Sequence, residues 1–178
     1  MTATDACWWL NTWKKLDNEW EAISSRGQKQ LANAADSLQK TTYFSGEHRG
    51  TLSCCESLHY RVSSRLWELA HRCSTRLEEE VKDLAEIYLR MQRLILDTPT
   101  KQLTEKRRQR YEAILLEVLA MYQHELMAKS LIAAGIFETF NHDVLTMYLA
   151  SWQMQPHINR QRLQELETLI RNDAYYCA

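Results

Sequence analysis

Residues 51–97, TLSCCESLHYRVSSRLWELAHRCSTRLEEEVKDLAEIYLRMQRLILD, carry apolar side chains at Val62, Leu66, Leu69, Cys73, Leu77, Val81, Leu84, Tyr88, Met91 and Ile95. The steps are three and four, averaging about 3.67, and the positions between are mostly Arg, Glu, Lys and Ser, which is the pattern of an amphipathic helix. At 1.5 Å per residue such a helix runs roughly 70 Å, a length that only other long helices lying along it can cover.

Outward from that stretch, four Gly and two Pro in 178 residues leave few turns, so the elements between them must be long. A hydrophobic content of 45%, with six Trp and eight Tyr, is enough to fill a core. The chain is predicted to be all-α: an elongated antiparallel helical bundle, coiled-coil-like, with three long helices and two short C-terminal ones in a single domain over residues 1–178. The periodicity and the breakers place the helices at about 5–38, 51–97, 99–139, 142–153 and 157–171. Thr41 to Gly50 reads as the first turn, and Pro99 ends the long helix and opens the next.

Trp8, Trp9, Trp13 and Trp20 crowd the first half of helix one. They read either as core fillers with Trp8 at the rim, or as a partner-binding face, since Trp is enriched among interface hot spots. Lys106, Arg107, Arg108 and Arg110 open helix three and read as a solvated face or as a nuclear-import patch. Beyond them Tyr111, Leu115, Val118, Tyr122, Leu126, Ala133, Ile136 and Phe140 form the expected buried stripe. Lys129 interrupts it one turn after Glu125, in the orientation that favours an exposed i, i+4 pair worth about 0.2–0.5 kcal/mol.

The balance of 22 basic and 23 acidic residues argues against a nucleic-acid binder, whose affinity would rest on neutralising many phosphates. The five cysteines have no framework spacing and read as reduced thiols of the nucleus or cytosol. The longest apolar run, Leu131 to Phe137, is far too short to span a bilayer, and the opening residues lack the charged and apolar pattern of a signal peptide, so a soluble protein is expected. Cys54, Cys55, His48, His59, His71 and Cys73 lie near one another in sequence but lack the paired spacing of a zinc site. Neither a Gly-rich phosphate loop nor a Gly-x-Ser-x-Gly elbow occurs, and the carboxylates fall on solvated helix faces. The expectation is a protein without enzymatic activity, cofactor or metal.

Met121-Tyr122-x-x-Glu125-Leu126-x-x-Lys129, then Asp143-x-x-x-x-Tyr148-Leu149-x-x-Trp152-x-x-Gln155-Pro156-x-Ile158, then Arg162-Leu163 and Leu166-Glu167-x-Leu169, resemble the cyclin-dependent kinase 2-interacting proteins. The most specific part is the Tyr-Leu-x-x-Trp-x-x-Gln-Pro string; the connection between helices two and three departs from the vertebrate pattern. The resemblance implies a nuclear adaptor that links a cyclin-dependent kinase with its cyclin, and an origin-firing kinase, to DNA replication. It also implies a checkpoint kinase partner in DNA damage signalling and repair. A further implied role is that of accessory subunit of a chromatin-associated AAA+ ATPase complex, in replisome proteostasis and in maturation of the large ribosomal subunit.

Read from the residues alone, Trp152 packs into the junction of helices three to five, and Pro156 fixes the turn. Gln155, which precedes Pro, is left with an amide free to cap a helix end or to meet a partner's backbone. The candidate partner-binding residues are therefore Trp8, Trp9, Trp13, Trp20, Trp152, Gln155 and Pro156. A second small helical protein is a candidate partner, because the long helix offers more apolar length than the shorter ones cover. The alternative is a homodimeric structural coiled coil without kinase or ATPase partners.

Overall fold

The computed structural model describes residues 3–45, 56–96 and 105–175. They form α1 (Ala3–Ser45), α2 (Glu56–Leu96), α3 (Glu105–Gly135), α4 (His142–Met154) and α5 (Arg160–Tyr175), with no strand among the described residues. The protein is all-α, with three long helices and two shorter C-terminal ones.

Several helix ends differ from the sequence expectation, each for a local reason. α1 continues to Ser45 where residue 38 was expected to end it. The Thr41 and Thr42 hydroxyls donate back to the Ser37 and Leu38 carbonyls, at 2.9 and 3.2 Å, and so stay within the helix instead of opening a turn. α3 stops at Gly135, short of residue 139, in a turn closed by Glu138 N donating to Gly135 O at 3.0 Å. Asn141 caps α4 by accepting from Asp143 N at 2.8 Å. α5 begins at Arg160, later than residue 157, because Ile158 N donates to Gln155 O in a turn and Asn159 Oδ1 then caps the helix through Arg162 N at 2.9 Å. The expected turn at Gly46 and Gly50 and the stop at Pro99 lie outside the described residues.

The buried seam of α2 is Ala70, Cys73, Leu77, Leu84, Ile87, Met91 and Leu94. These positions alternate steps of three and four about a half-buried Glu80, the 3.5-residue repeat of a coiled coil and not the predicted 3.67. Leu69, expected in the stripe, is exposed; Val62, Leu66, Val81, Tyr88 and Ile95 are half-buried flanks of the seam. α1 follows the same rule through Trp13, Trp20, Ser24, Gly27, Leu31, Ala34 and Leu38, and α3 through Leu115, Val118, Tyr122, Glu125, Lys129 and Ile132. Phe140, predicted to be buried, is exposed, and Leu126 is half-buried.

The chain divides into two compact units. The first comprises described residues 3–22, 84–96, 105–127 and 155–175. In it α5 is tied to α1 by Lys14–Glu167 at 2.6 Å and Arg160–Asp17 at 2.8 Å, and to α3 by Arg162–Glu117 at 2.7 Å. The Arg162 guanidinium holds the Glu117 carboxyl below the usual carboxylate range through its hydrogen bonds. These pairs are part-exposed, so they orient α5 more than they stabilise it. The second unit comprises described residues 23–45, 56–83 and 128–154. There α1 and α2 run antiparallel, with Arg26 on Glu80 and, farther along, the His59 ring 2.7 Å from Phe44 O.

Candidate functional site

In the first unit Gln155 has φ of +47°, an uncommon conformation for a residue other than glycine. Three hydrogen bonds hold it. Trp20 Nε1 donates to its Oε1 at 3.0 Å, and its Nε2 donates to both carboxylate oxygens of Glu21, at 3.1 and 2.9 Å. The Gln155 amide is thus spent on α1 and is not free for a partner, which corrects the expectation. The missing signal is the third dimension: nothing near Gln155 in sequence announces a partner 135 residues away.

Gln155→Ala is expected to lower the unfolding free energy by about 1–3 kcal/mol, since it strands the indole N–H of a fully buried Trp20. Urea denaturation measures it, and a change below about 0.5 kcal/mol would show that Trp20 finds water instead.

Tyr122 sits at the centre of the same unit. Its ring meets Trp13 and Trp20 edge-on, with centroids 5.6 and 5.1 Å apart, and its hydroxyl donates to Asp17 Oδ1 at 2.6 Å. Asp17 is also gripped by Arg160, which pairs with Glu21 as well. Burial, with the Asp17 charge and hydrogen bond adding to it, pushes the Tyr122 hydroxyl far above its ordinary range. A raised folded-state value means that the contribution to stability is complete below the unfolded value of about 10 and is lost as pH rises beyond it. The expected result is an alkaline fall in stability beginning near pH 10 that is shallower in Tyr122→Phe; equal slopes for the two proteins between about pH 10 and 11.5 would count against it.

In the second unit Trp152 is 1% exposed. Its Nε1 donates to Ser24 O at 2.9 Å. A methyl group added at Gly27 would stand 2.5 Å from Trp152 Cζ2, so the absence of a side chain there makes room for the indole. Lys129 lies 4.4 Å over the Trp152 ring and donates from Nζ to the Trp152 carbonyl at 2.8 Å. Lys129 is 0% exposed and Glu125, one turn earlier on α3, is 1% exposed. The exposed location expected for them is therefore wrong: both occupy seam positions. Glu125 accepts from His157 N at 3.3 Å in the first unit.

Trp13, Trp20 and Trp152 are thus core residues, and Pro156 is exposed. Trp8 and Trp9 belong to α1, and Lys106, Arg107, Arg108 and Arg110 to the first turns of α3, but their side chains lie outside the described ones. Absent from the expected set is Trp67, which stacks on Phe137 at 6.1 Å and meets Phe140 edge-on, while His71 stacks on Phe137 at 4.5 Å. This cluster is half open to solvent. Its sequence signal was weak, because Phe137 and Phe140 follow the end of α3 and keep no helical register with it.

Among the described residues no group of three or more His, Cys, Asp or Glu is arranged to hold a metal ion. His48, Cys54 and Cys55 lie outside them. Cys73 is buried, and that burial pushes its thiol up, away from the reactive thiolate. No described helix is long and apolar enough to cross a membrane. No protein-family model and no curated protein matches the chain.

The exposed apolar residues are arranged differently in each unit. In the first, Leu116 and Met127 on α3 are 64% and 56% exposed and lie eleven residues, about three turns, apart on one face. α3 therefore has apolar side chains both in its buried seam and on its outer side. A helix apolar on opposite faces has more surface to bury than one side of a bundle covers. In the second unit Met147 and Met154 are exposed at i, i+7 along α4.

Proposed function

We propose that the chain is a non-enzymatic interaction subunit, a nuclear adaptor of the kind that the cyclin-dependent kinase 2-interacting proteins represent. In this reading it joins a cyclin-dependent kinase and its cyclin, an origin-firing kinase and a checkpoint kinase partner to DNA replication and repair. It also serves as an accessory subunit of a chromatin-associated AAA+ ATPase complex with a role in ribosome biogenesis. The chemistry belongs to the partners.

The observation that carries the reading is the outer face of α3, where Leu116 and Met127 are left in solvent opposite a completed seam. Two large apolar side chains exposed on one helix face, with Ala120 and Gln123 between them, offer a partner two points of apolar contact. The named partners come from the resemblance, whose most specific residues, Trp152 and Gln155, hold α1 in this chain.

The test is quantitative mass spectrometry of proteins that co-purify with the tagged chain from nuclease-treated nuclear extract. Its companion is a Leu116→Glu, Met127→Glu variant of verified fold. Stoichiometric AAA+ ATPase subunits that are lost in the variant support the reading; recovery of the chain alone overturns it. The homodimer is favoured by the 3.5-residue seams, yet Leu84 and Met91 are already buried within a single chain, so a second copy would need another face. Sedimentation over a concentration series separates the two.

A further inference from the structure

In the first unit α1, α3 and α5 enclose a half-open cavity of about 180 Å³. Its walls are apolar: Leu10 and Trp13 from α1, Leu115 and Val118 from α3, Leu163 and Ile170 from α5. Because the cavity opens to solvent, its apolar walls are left in contact with water, and a ligand that covers them removes that surface from water and stabilises the fold. An apolar cavity of about 150 Å³ is already enough to hold benzene.

The mouth decides the charge of the occupant. Lys14 and Arg160 are matched there by Glu167 and Asp17, and each cation is closed on an anion of the facing helix, Lys14 on Glu167 at 2.6 Å and Arg160 on Asp17 at 2.8 Å. Asp17 is further bound by the Tyr122 hydroxyl, and Glu167 by Arg171 at 2.6 Å. A charged ligand would have to open one of these pairs or face a like charge, and it would give up its hydration without a partner. The Gln164 amide at the rim offers a neutral donor and acceptor instead.

We propose that this cavity is a binding site for one uncharged ring-sized apolar molecule, of toluene or benzyl alcohol dimensions, taken from solution. The site is independent of the adaptor reading.

Toluene and benzyl alcohol are titrated into the full chain by calorimetry and in thermal melts, beside benzoate and benzylammonium as charged probes of the same ring. The expected result is saturable one-to-one binding of the neutral pair and a melting temperature that climbs with the logarithm of ligand concentration. The charged probes should bind at least about tenfold more weakly. Leu163→Phe, which fills the space, should reduce affinity at least about tenfold; if it does not fold, Val118→Ile should reduce it about threefold. Absence of saturable binding, equal affinity for charged and neutral rings, or unchanged affinity in the folded variants overturns the proposal. So does binding of a Phe-bearing helical peptide without binding of free toluene, which would give the cavity to a partner's anchor.

Discussion

Trp152→Ala is expected to lower the unfolding free energy by about 3–5 kcal/mol, because it removes a fully buried indole and the surrounding helices relax only partly into the space. Three features converge on the ring: the hydrogen bond to Ser24 O, the bare Gly27 backbone against one edge and the Lys129 ammonium over the face. Trp152→Phe keeps an aromatic face but loses part of the ring volume and the indole bond to Ser24 O, a carbonyl that α1 itself still satisfies, and should cost about 1–3 kcal/mol. Gly27→Ala supplies an independent check. A helical Gly→Ala change is ordinarily worth about 1 kcal/mol in stability, but here the methyl group would collide with the indole, so the change should destabilise the native protein. In a Trp152→Ala background it should instead stabilise. That reversal of sign in a double-mutant cycle is the most specific signature of the packing. Loss of less than about 1 kcal/mol in Trp152→Ala would mean that the indole leaves its slot in solution.

Trp152 and Gln155 carry the resemblance, yet both are committed to α1, so a variant of either that loses partners reports on folding first. Contacts with an assembly are better sought at Leu116 and Met127, where a charged substitution meets solvent in the free protein and leaves the seam untouched. The same logic applies to Met147 and Met154 on α4.

What was legible in the sequence was the existence and order of the helices, since long runs of three-and-four spacing survive any local detail. The repeat itself was less legible. Leu69 and Cys73 satisfy a helical period as well as Ala70 and Cys73 do, and the larger side chain is the natural choice; only packing shows that Ala70 is the one inside. Ser24, whose carbonyl receives Trp152, is hidden in the same manner, a seam position beside the larger Ile23. The ends of α1 and α5 escaped notice because Thr41 and Thr42 satisfy themselves within a helix, and Asn159 caps more effectively than anything at His157. The site was legible as a string but not as a set of contacts, since the partners of Gln155 and Trp152 lie more than a hundred residues away.

Lys129 is the residue whose role sequence spacing most misjudged, and two substitutions separate its parts. Lys129→Ala is expected to cost about 3–5 kcal/mol, because the four-carbon stem fills core space at 0% exposure and the Trp152 carbonyl loses its donor as well. Lys129→Met retains nearly all of the volume and should cost only about 1–3 kcal/mol, the share of the carbonyl and of the ammonium over the ring. Chemical denaturation of both variants checks the order. If Met is as damaging as Ala, the energy lies in the charge and not in the stem. If Met equals or exceeds the native protein in stability, removal of the desolvated ammonium outweighs its bonds. Lysine would then be retained at a seam position for register: an ammonium that can reach one carbonyl allows only one placement of α4 on α3, whereas an apolar side chain tolerates several.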